Sequence, residues 1–214
     1  MTGSGQARGD DSSKSIDRQL ALFDFDGTIT SRDSLFDFIR STFGLARLLI
    51  GLAMCAPRII LALVGVRPRW QGKEAVLVYF FGGWETSEFA SVAERYARER
   101  IPRLVREEAA QRIEWHRRRG DRMVVVSASP ETWIRPWCEA QGMEAIATRL
   151  EEREDRLTGK IAGRNCQGEE KVRRVREIID LDSYTRIYAY GNSSGDMPML
   201  SLAHERYLNW KRIG

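Results

Sequence analysis

The stretch Leu20-Ala21-Leu22-Phe23-Asp24-Phe25-Asp26-Gly27-Thr28 organises the reading of the whole chain. A near-continuous apolar run of strand-forming residues, stopped by a glycine, predicts a buried β-strand. Two carboxylates close it, one residue apart. Alternate residues of a strand project to the same side, so Asp24 and Asp26 are expected to face one point in space. Like charges that close repel, and burial raises the cost. A divalent cation is the usual relief. Gly27 lets the chain turn sharply and brings backbone N–H groups near an anion, and Thr28 adds a hydroxyl donor. An aspartate before a helix is also a common N-cap; that reading accounts for one aspartate here, not for two at this spacing.

The 214 residues allow one domain with a sizeable insertion, or two small ones. A net charge of +4 does not indicate a nucleic-acid partner. Cys55, Cys138 and Cys166 are far apart and odd in number, without a C-x-x-C, which points to reduced thiols in a cytoplasmic compartment. With His116 and His204 the only histidines, a histidine-based zinc site is not expected. Residues 1–17 are polar and lack an apolar h-region. They read as a disordered leader rather than a cleavable signal.

After the first strand, Ser31 or Asp33 can cap a helix whose apolar face holds Leu35, Phe36, Phe38 and Ile39. Leu45 to Val66 is the most hydrophobic region. Arg47, Arg58 and Arg67 divide it into runs of roughly ten and eight apolar residues, short of the roughly twenty that a span needs. Pro57 is expected to break a helix in its middle. Two readings stay open for this segment: buried helices of a small helical domain, or a hairpin in the membrane interface with arginines and Trp70 at headgroup level. Helices are expected over Lys73 to Phe81, from Thr86, and from Pro102, ending at Gly120. The arginines and glutamates interleaved from Glu94 to Arg119 read as a solvated, ion-paired face.

Beyond Gly120 the pattern changes. Arg122 to Ala128 is a second buried strand with Ser127 and Ser129 at its tip, and Pro130 begins a helix. A short strand (143–148), a charged hairpin or loop (150–162), a helix (168–181), a strand (185–190), a helix (196–203) and a last strand (206–210) follow. This alternation predicts a parallel sheet with helices on both faces. The helical segment 33–119 then forms a cap domain over an α/β core made of 18–32 and 120–214. Ligands of such sheets bind at the C-terminal strand ends. The polar clusters fall there: Asp24 and Asp26, Ser127, Lys171, and Asn192 to Asp196. Gly191-Asn192-Ser193-Ser194-Gly195 also fits the G-x-S-x-G nucleophile elbow. Only His204 follows it, however, with too little chain left for a triad.

The order Asp-x-Asp-Gly-Thr, strand-end Ser127, Lys171, then Gly191-Asn192-Ser193-x-x-Asp196-x-Pro198-Met199-Leu200 resembles the haloacid dehalogenase superfamily, from Gln19 to about Leu202. Within it the chain resembles the subfamily IB phosphatases, of the phosphoserine phosphatase and phosphatidylglycerophosphatase C types. The resemblance implies a Rossmann-like three-layer α/β core with an all-helical, C1-type cap inserted after the first strand. It implies Asp24 as nucleophile, forming an aspartyl phosphate, and Asp26 as acid and then base. Gly27, Thr28, Ser127, Ala128 and Lys171 would hold the phosphoryl group, with Mg²⁺ among Asp24, Asp26, Asn192 and Asp196. Two positions depart from the pattern. Asn192 stands where the family usually has Asp. Asp33 and Gly27 replace the Glu and Ser common in phosphoserine phosphatases, which with the apolar cap shifts the expectation toward an amphiphilic phosphomonoester. The substrate is expected to be either a lipid-linked or a small soluble phosphomonoester. The competing expectations are a phosphoserine phosphatase-like small-metabolite phosphatase and a phospholigand-binding or membrane-adaptor protein with a degraded site. The membrane contact, where it exists, is expected through residues 45–66, peripheral to the inner face.

Overall fold

The computed structural model describes residues 18–214, the side chain of Arg69 excepted. The leader expected over 1–17 lies outside the described residues. The strands are β1 (Gln19–Phe23), β2 (Arg122–Pro130), β3 (Glu144–Thr148), β4 (Leu150–Arg153), β5 (Arg156–Ile161), β6 (Arg186–Gly191), β7 (Glu205–Leu208) and β8 (Lys211–Arg212). The helices are α1 (Ser34–Leu63), α2 (Arg69–Phe81), α3 (Thr86–Glu99), α4 (Glu107–Arg119), α5 (Glu131–Ala140), α6 (Glu169–Ile178) and the single turn α7 (Met197–Leu200).

β1 lies near the centre of a sheet of order β3-β2-β1-β6-β7-β8, parallel throughout except for the edge pair β7–β8. Its place follows from its composition, since a strand covered on both faces must be apolar on both. Ala21 and Phe23 join Met123, Val125, Tyr188 and Tyr190 on one face, beneath α5 and the inserted helices. Leu20 and Leu22 join Val124, Val126, Ile187 and Ala189 on the other, with Val175 of α6 and Met199 of α7. The fold is thus the expected three-layer α/β core with helices inserted after the first strand. Phe23 stacks on Tyr190 at 4.6 Å between ring centroids. Trp133 of α5 stacks on Phe38 of α1 at 4.6 Å, so the inserted helices share a continuous core with one face of the sheet.

Within residues 33–119, α4 lies against the sheet rather than over it. Its His116 is fully buried, with Nδ1 2.7 Å from Asp121 and Nε2 2.8 Å from the Tyr190 hydroxyl. Burial pushes this imidazole down to about 4, so it is neutral at physiological pH. His204 Nδ1 accepts from the Ile187 amide, another structural contact.

Several boundaries differ from the sequence expectation. Pro57 does not break the apolar segment, because α1 runs through it to Leu63. The kink is at Gly44, at φ 84° and ψ 165°, a conformation that glycine alone adopts without strain. Pro102 begins no α-helix. It sits in a 3₁₀ turn, Ile101–Arg103, and α4 starts at Glu107. The helix expected over 196–203 is a 3₁₀ turn followed by the single turn α7. The charged segment 150–162 is an antiparallel hairpin, β4–β5, packed on α2: Gly83 N donates to Leu157 O at 2.7 Å and Ile161 N to Glu74 Oε2 at 3.0 Å.

Candidate active site

β1 ends at Phe23, one residue before the first carboxylate. The ladder continues for one more bond, Asp24 N to Tyr190 O at 2.9 Å, and the chain then turns through Gly27 at φ 81°. Strand alternation therefore does not set the two aspartates. The turn does, and both Asp24 and Asp26 line the same cavity. Gly27 has a second reason to lack a side chain. A Cβ there would lie 2.1 Å from the Asn192 amide, which packs over the turn.

Asp24 is 7% exposed. Lys171 Nζ donates to its Oδ1 at 2.6 Å, and Thr28 Oγ1 donates to its Oδ2 at 2.9 Å. The same ammonium donates to Asp196 Oδ1 at 2.7 Å. Asp196 Oδ2 accepts from the Asn192 and Ser193 amides, at 3.2 and 3.1 Å, and from Ser193 Oγ at 2.8 Å. Both Asp196 oxygens are thus engaged with protein donors. Burial works against the ionised form of Asp196, but Lys171 and the Ser193 and Asn192 donors hold its carboxyl below the usual range. Asp24 has fewer donors, so burial dominates and pushes it from 3.8 up to about 6, with Lys171 opposing and Asp196 adding to the shift. Lys171 is buried as well, yet the two carboxylates keep its ammonium charged above its ordinary range.

Asp26 is partly buried on the side of the inserted helices. Ser34 N donates to its Oδ1 at 2.6 Å, and Ser129 Oγ makes a short bond to its Oδ2. Burial and the neighbouring Asp33 charge raise its carboxyl above the usual range, against the two serine donors. Asp33 also lines the cavity while capping α1, its Oδ1 accepting from Leu35 N at 2.9 Å and Phe36 N at 3.3 Å.

The cavity holds about 350 Å³. Asp24, Asp26, Lys171, Asn192 and Asp196 form its polar floor, while Leu35, Ile59, Ala62, Leu63 and Val76 form an apolar wall. Of the residues expected to hold a phosphoryl group, Lys171 and Ala128 line it. Thr28 reaches it through Asp24, and Gly27 shapes the turn. Ser127 is 1% exposed, and its Oγ accepts from Ser129 N at 3.0 Å, which folds the tip of β2. A larger depression of about 1050 Å³ along α6 contains neither Asp24 nor Asp26.

Two participants carry no site role in the sequence reading, although Ser129 is placed there at the strand tip beside Ser127. Ser129 holds Asp26, whereas the alternation rule pairs it with Ser127. Lys73 of α2 reaches across the cavity to donate to Ala128 O at 2.5 Å. Burial lowers its ammonium, and the charges of Asp26 and Asp33 oppose the shift. The available signal was a lysine three and four residues before Val76 and Leu77, on the helix face that is buried.

Among the described residues no three His, Cys, Asp or Glu side chains gather as a metal site. A cation would instead rest on the Asp24 carboxylate, an Asp26 oxygen and the amide oxygen of Asn192, whose amide nitrogen is the atom nearest the bare Gly27 turn. That donor set is all oxygen and carries little charge, which fits Mg²⁺ with retained waters rather than a thiophilic metal.

A family model described as haloacid dehalogenase-like hydrolase matches residues 21–201. Protein CicA of Caulobacter vibrioides is 35% identical over 189 residues, covering 87% of this chain and 84% of that protein. A Mycobacterium tuberculosis protein named "Probable phosphatase" is 31% identical over 199 residues, covering 90% of this chain and 69% of its own length. A Bordetella pertussis Tohama I protein of unknown function matches in structure with a TM-score of 0.76 at 27% identity, covering 89% of each chain.

Proposed function

The chain belongs to the haloacid dehalogenase-like hydrolases and is a phosphatase, and from that premise we propose that it hydrolyses a phosphomonoester through an aspartyl phosphate on Asp24, with Mg²⁺. The observation that carries this reading is the buried Asp24–Lys171–Asp196 network beneath a cavity that also contains Asp26.

Asp24 attacks phosphorus while its oxygens are oriented by Lys171 and Thr28. Lys171, anchored by Asp196, offsets the charge of the transferring group, and Ala128 at the tip of β2 contributes its backbone. Asp26, with its carboxyl raised, carries the proton that the leaving oxygen needs; once deprotonated it takes one from water as the acyl phosphate is cleaved. Ser34 and Ser129 hold that carboxyl at the leaving-group side. Bound Mg²⁺, held by Asp24, Asp26 and Asn192 with Asp196 ordering the loop, would neutralise phosphoryl charge.

The apolar wall opposite this floor supports an amphiphilic, lipid-linked substrate over a small soluble one of the phosphoserine kind. The exposed apolar residues of 45–66 support an enzyme peripheral to the membrane, and the free thiols of Cys55, Cys138 and Cys166 support a cytoplasmic one. Purified protein is to be assayed with phosphatidylglycerophosphate, phosphoserine and an aryl phosphate, with Mg²⁺ or EDTA, and with Asp24→Asn. Hydrolysis that needs Mg²⁺ and Asp24 is expected, fastest on the lipid. Full turnover in EDTA, or an active Asp24→Asn protein, refutes the mechanism. Preference for phosphoserine refutes the substrate class.

A further inference from the structure

α1 has two apolar faces. Leu48, Cys55 and Ala62 are buried on the inner one, where Cys55 Sγ donates to Ala75 O of α2 at 3.4 Å. Leu45, Leu49, Ile50, Met54, Ile60 and Val64 stand 53% to 67% exposed. At the α-helical repeat these six fall in the half-circle opposite the buried face. A helix apolar all round belongs in a core or in lipid, and α1 has a core on one side only.

The charges around this stripe are of one sign. Between Asp37 and Glu74 the chain has no acidic residue and six basic ones: Arg40, Arg47, Arg58, Arg67, Arg69 and Lys73. Arg47 and Arg58, both exposed, lie about three helical turns apart and so share one edge of the stripe. Two copies of the chain meeting through this face would oppose arginines to arginines with no carboxylate between them. A surface of lipid phosphates supplies the complementary charge.

The stripe also leads to the site. Ile59, Ala62 and Leu63 line the catalytic cavity, and their neighbours Ile60 and Val64 belong to the exposed stripe. The apolar wall of the cavity therefore continues onto the outer face of the helix.

We propose that the outer face of α1, from Leu45 to Val64, docks on an anionic bilayer, lying in its interface, and that the catalytic cavity opens at that contact. α1 is long and apolar enough to cross a membrane. Its inner face is nevertheless held by α2, and α2 carries the charged β4–β5 hairpin, so crossing would draw polar backbone and side chains into hydrocarbon. Lying flat, the helix buries its outer side chains while Arg47 and Arg58 extend to the headgroups. Entry of an amphiphilic phosphomonoester from the bilayer rests on the phosphatase reading above; the docking does not.

The test is sedimentation of the full chain with phosphatidylcholine vesicles, with and without phosphatidylglycerol, at low and high salt. Binding to the anionic vesicles is expected, weakened by salt and extractable at alkaline pH. Arg58→Ala should lower partition roughly fivefold, as one basic side chain at an anionic surface contributes about 1 kcal/mol. Leu49→Glu with Met54→Glu should abolish binding and leave hydrolysis of a soluble aryl phosphate unchanged, since both side chains are solvent-exposed. No binding at low salt, or binding that survives the double substitution, overturns the docking. So does resistance to alkaline extraction, which means a span, or a wild-type dimer that the double substitution dissociates, which means a second copy covers the stripe. If vesicles bind but no phosphoester is hydrolysed, the docking stands and the phosphatase reading fails.

Discussion

Replacing Asp24 by Asn should abolish turnover and yet make the metal-free protein more stable at alkaline pH. Burial, assisted by the Asp196 charge and opposed by Lys171, pushes the Asp24 carboxyl from 3.8 up to about 6 in the folded chain. A carboxyl raised in this way contributes stability that is complete below its unfolded value and is lost as pH rises through about 6. At ~1.4 kcal/mol per pH unit, the interval from the usual value to about 6 amounts to about 3 kcal/mol near pH 8. The substituted amide has nearly the same shape and does not ionise; its single oxygen can accept from Lys171, and its NH2 then faces Thr28 Oγ1, which turns to accept. For a chain of this size each kcal/mol moves Tm by about 2–4 °C. In EDTA near pH 8 the variant should therefore melt about 6–12 °C above the wild type, with the gap closing toward pH 4. Mg²⁺ should raise the wild-type Tm and leave the variant nearly unmoved, because the ion offsets the charge that the variant lacks. Thermal melts followed by circular dichroism across this pH range, with and without Mg²⁺, make the comparison. Equal melting near pH 8 in EDTA, or a gap that does not shrink on acidification, would refute the account of Asp24 as a carboxylate held ionised against its surroundings.

Asn192→Asp adds a charge beside the Gly27 turn and should tighten the apparent Mg²⁺ affinity; an unchanged Mg²⁺ titration places this side chain away from the ion. Asp26→Asn should slow alkyl phosphates far more than aryl phosphates, whose leaving groups need less protonation. Equal losses on both would leave Asp26 a purely structural role at Ser34 and Ser129. Lys73→Met removes the cation that bonds Ala128 O, and a hydrogen bond to a charged group of about 1.5–3 kcal/mol corresponds to a loss of about 10–100-fold in kcat/KM. The Mg²⁺ requirement should not change, and steady-state kinetics at saturating Mg²⁺ show whether kcat/KM alone moves.

How much of this was legible beforehand differs from residue to residue. The apolar run Leu20 to Phe23 determined a central strand, because only a strand covered on both faces is apolar at every position. The return of the strand–helix pattern after Gly120 determined the parallel sheet. The polar residues at the strand ends marked the edge where the site lies, since helices cover the faces and leave that edge open. Asp24, Asp26 and Asp196 were placed at that edge in this way, whereas Lys171, on α6, was given its role by the resemblance. Local propensity misjudged Pro57 and Pro102. At Pro57 the packing of α1 on α2 carries the helix through; at Pro102 a 3₁₀ turn takes up the proline.

Tertiary structure alone decided the rest. Ser129 and Lys73 reach Asp26 and Ala128 from distant parts of the chain, and no spacing rule reports such contacts. The division of labour between Asp24 and Asp196 also lies beyond the sequence. Both are aspartates on the same lysine, but Asp196 has loop amides and a hydroxyl to hold its charge and Asp24 does not, so burial separates their affinities for a proton. The residues 45–66 show the same limit. Composition shows that the segment is apolar, but which of its faces meets α2 and which is left bare is set only when the two helices pack, because hydrophobicity has no direction until a neighbour gives it one.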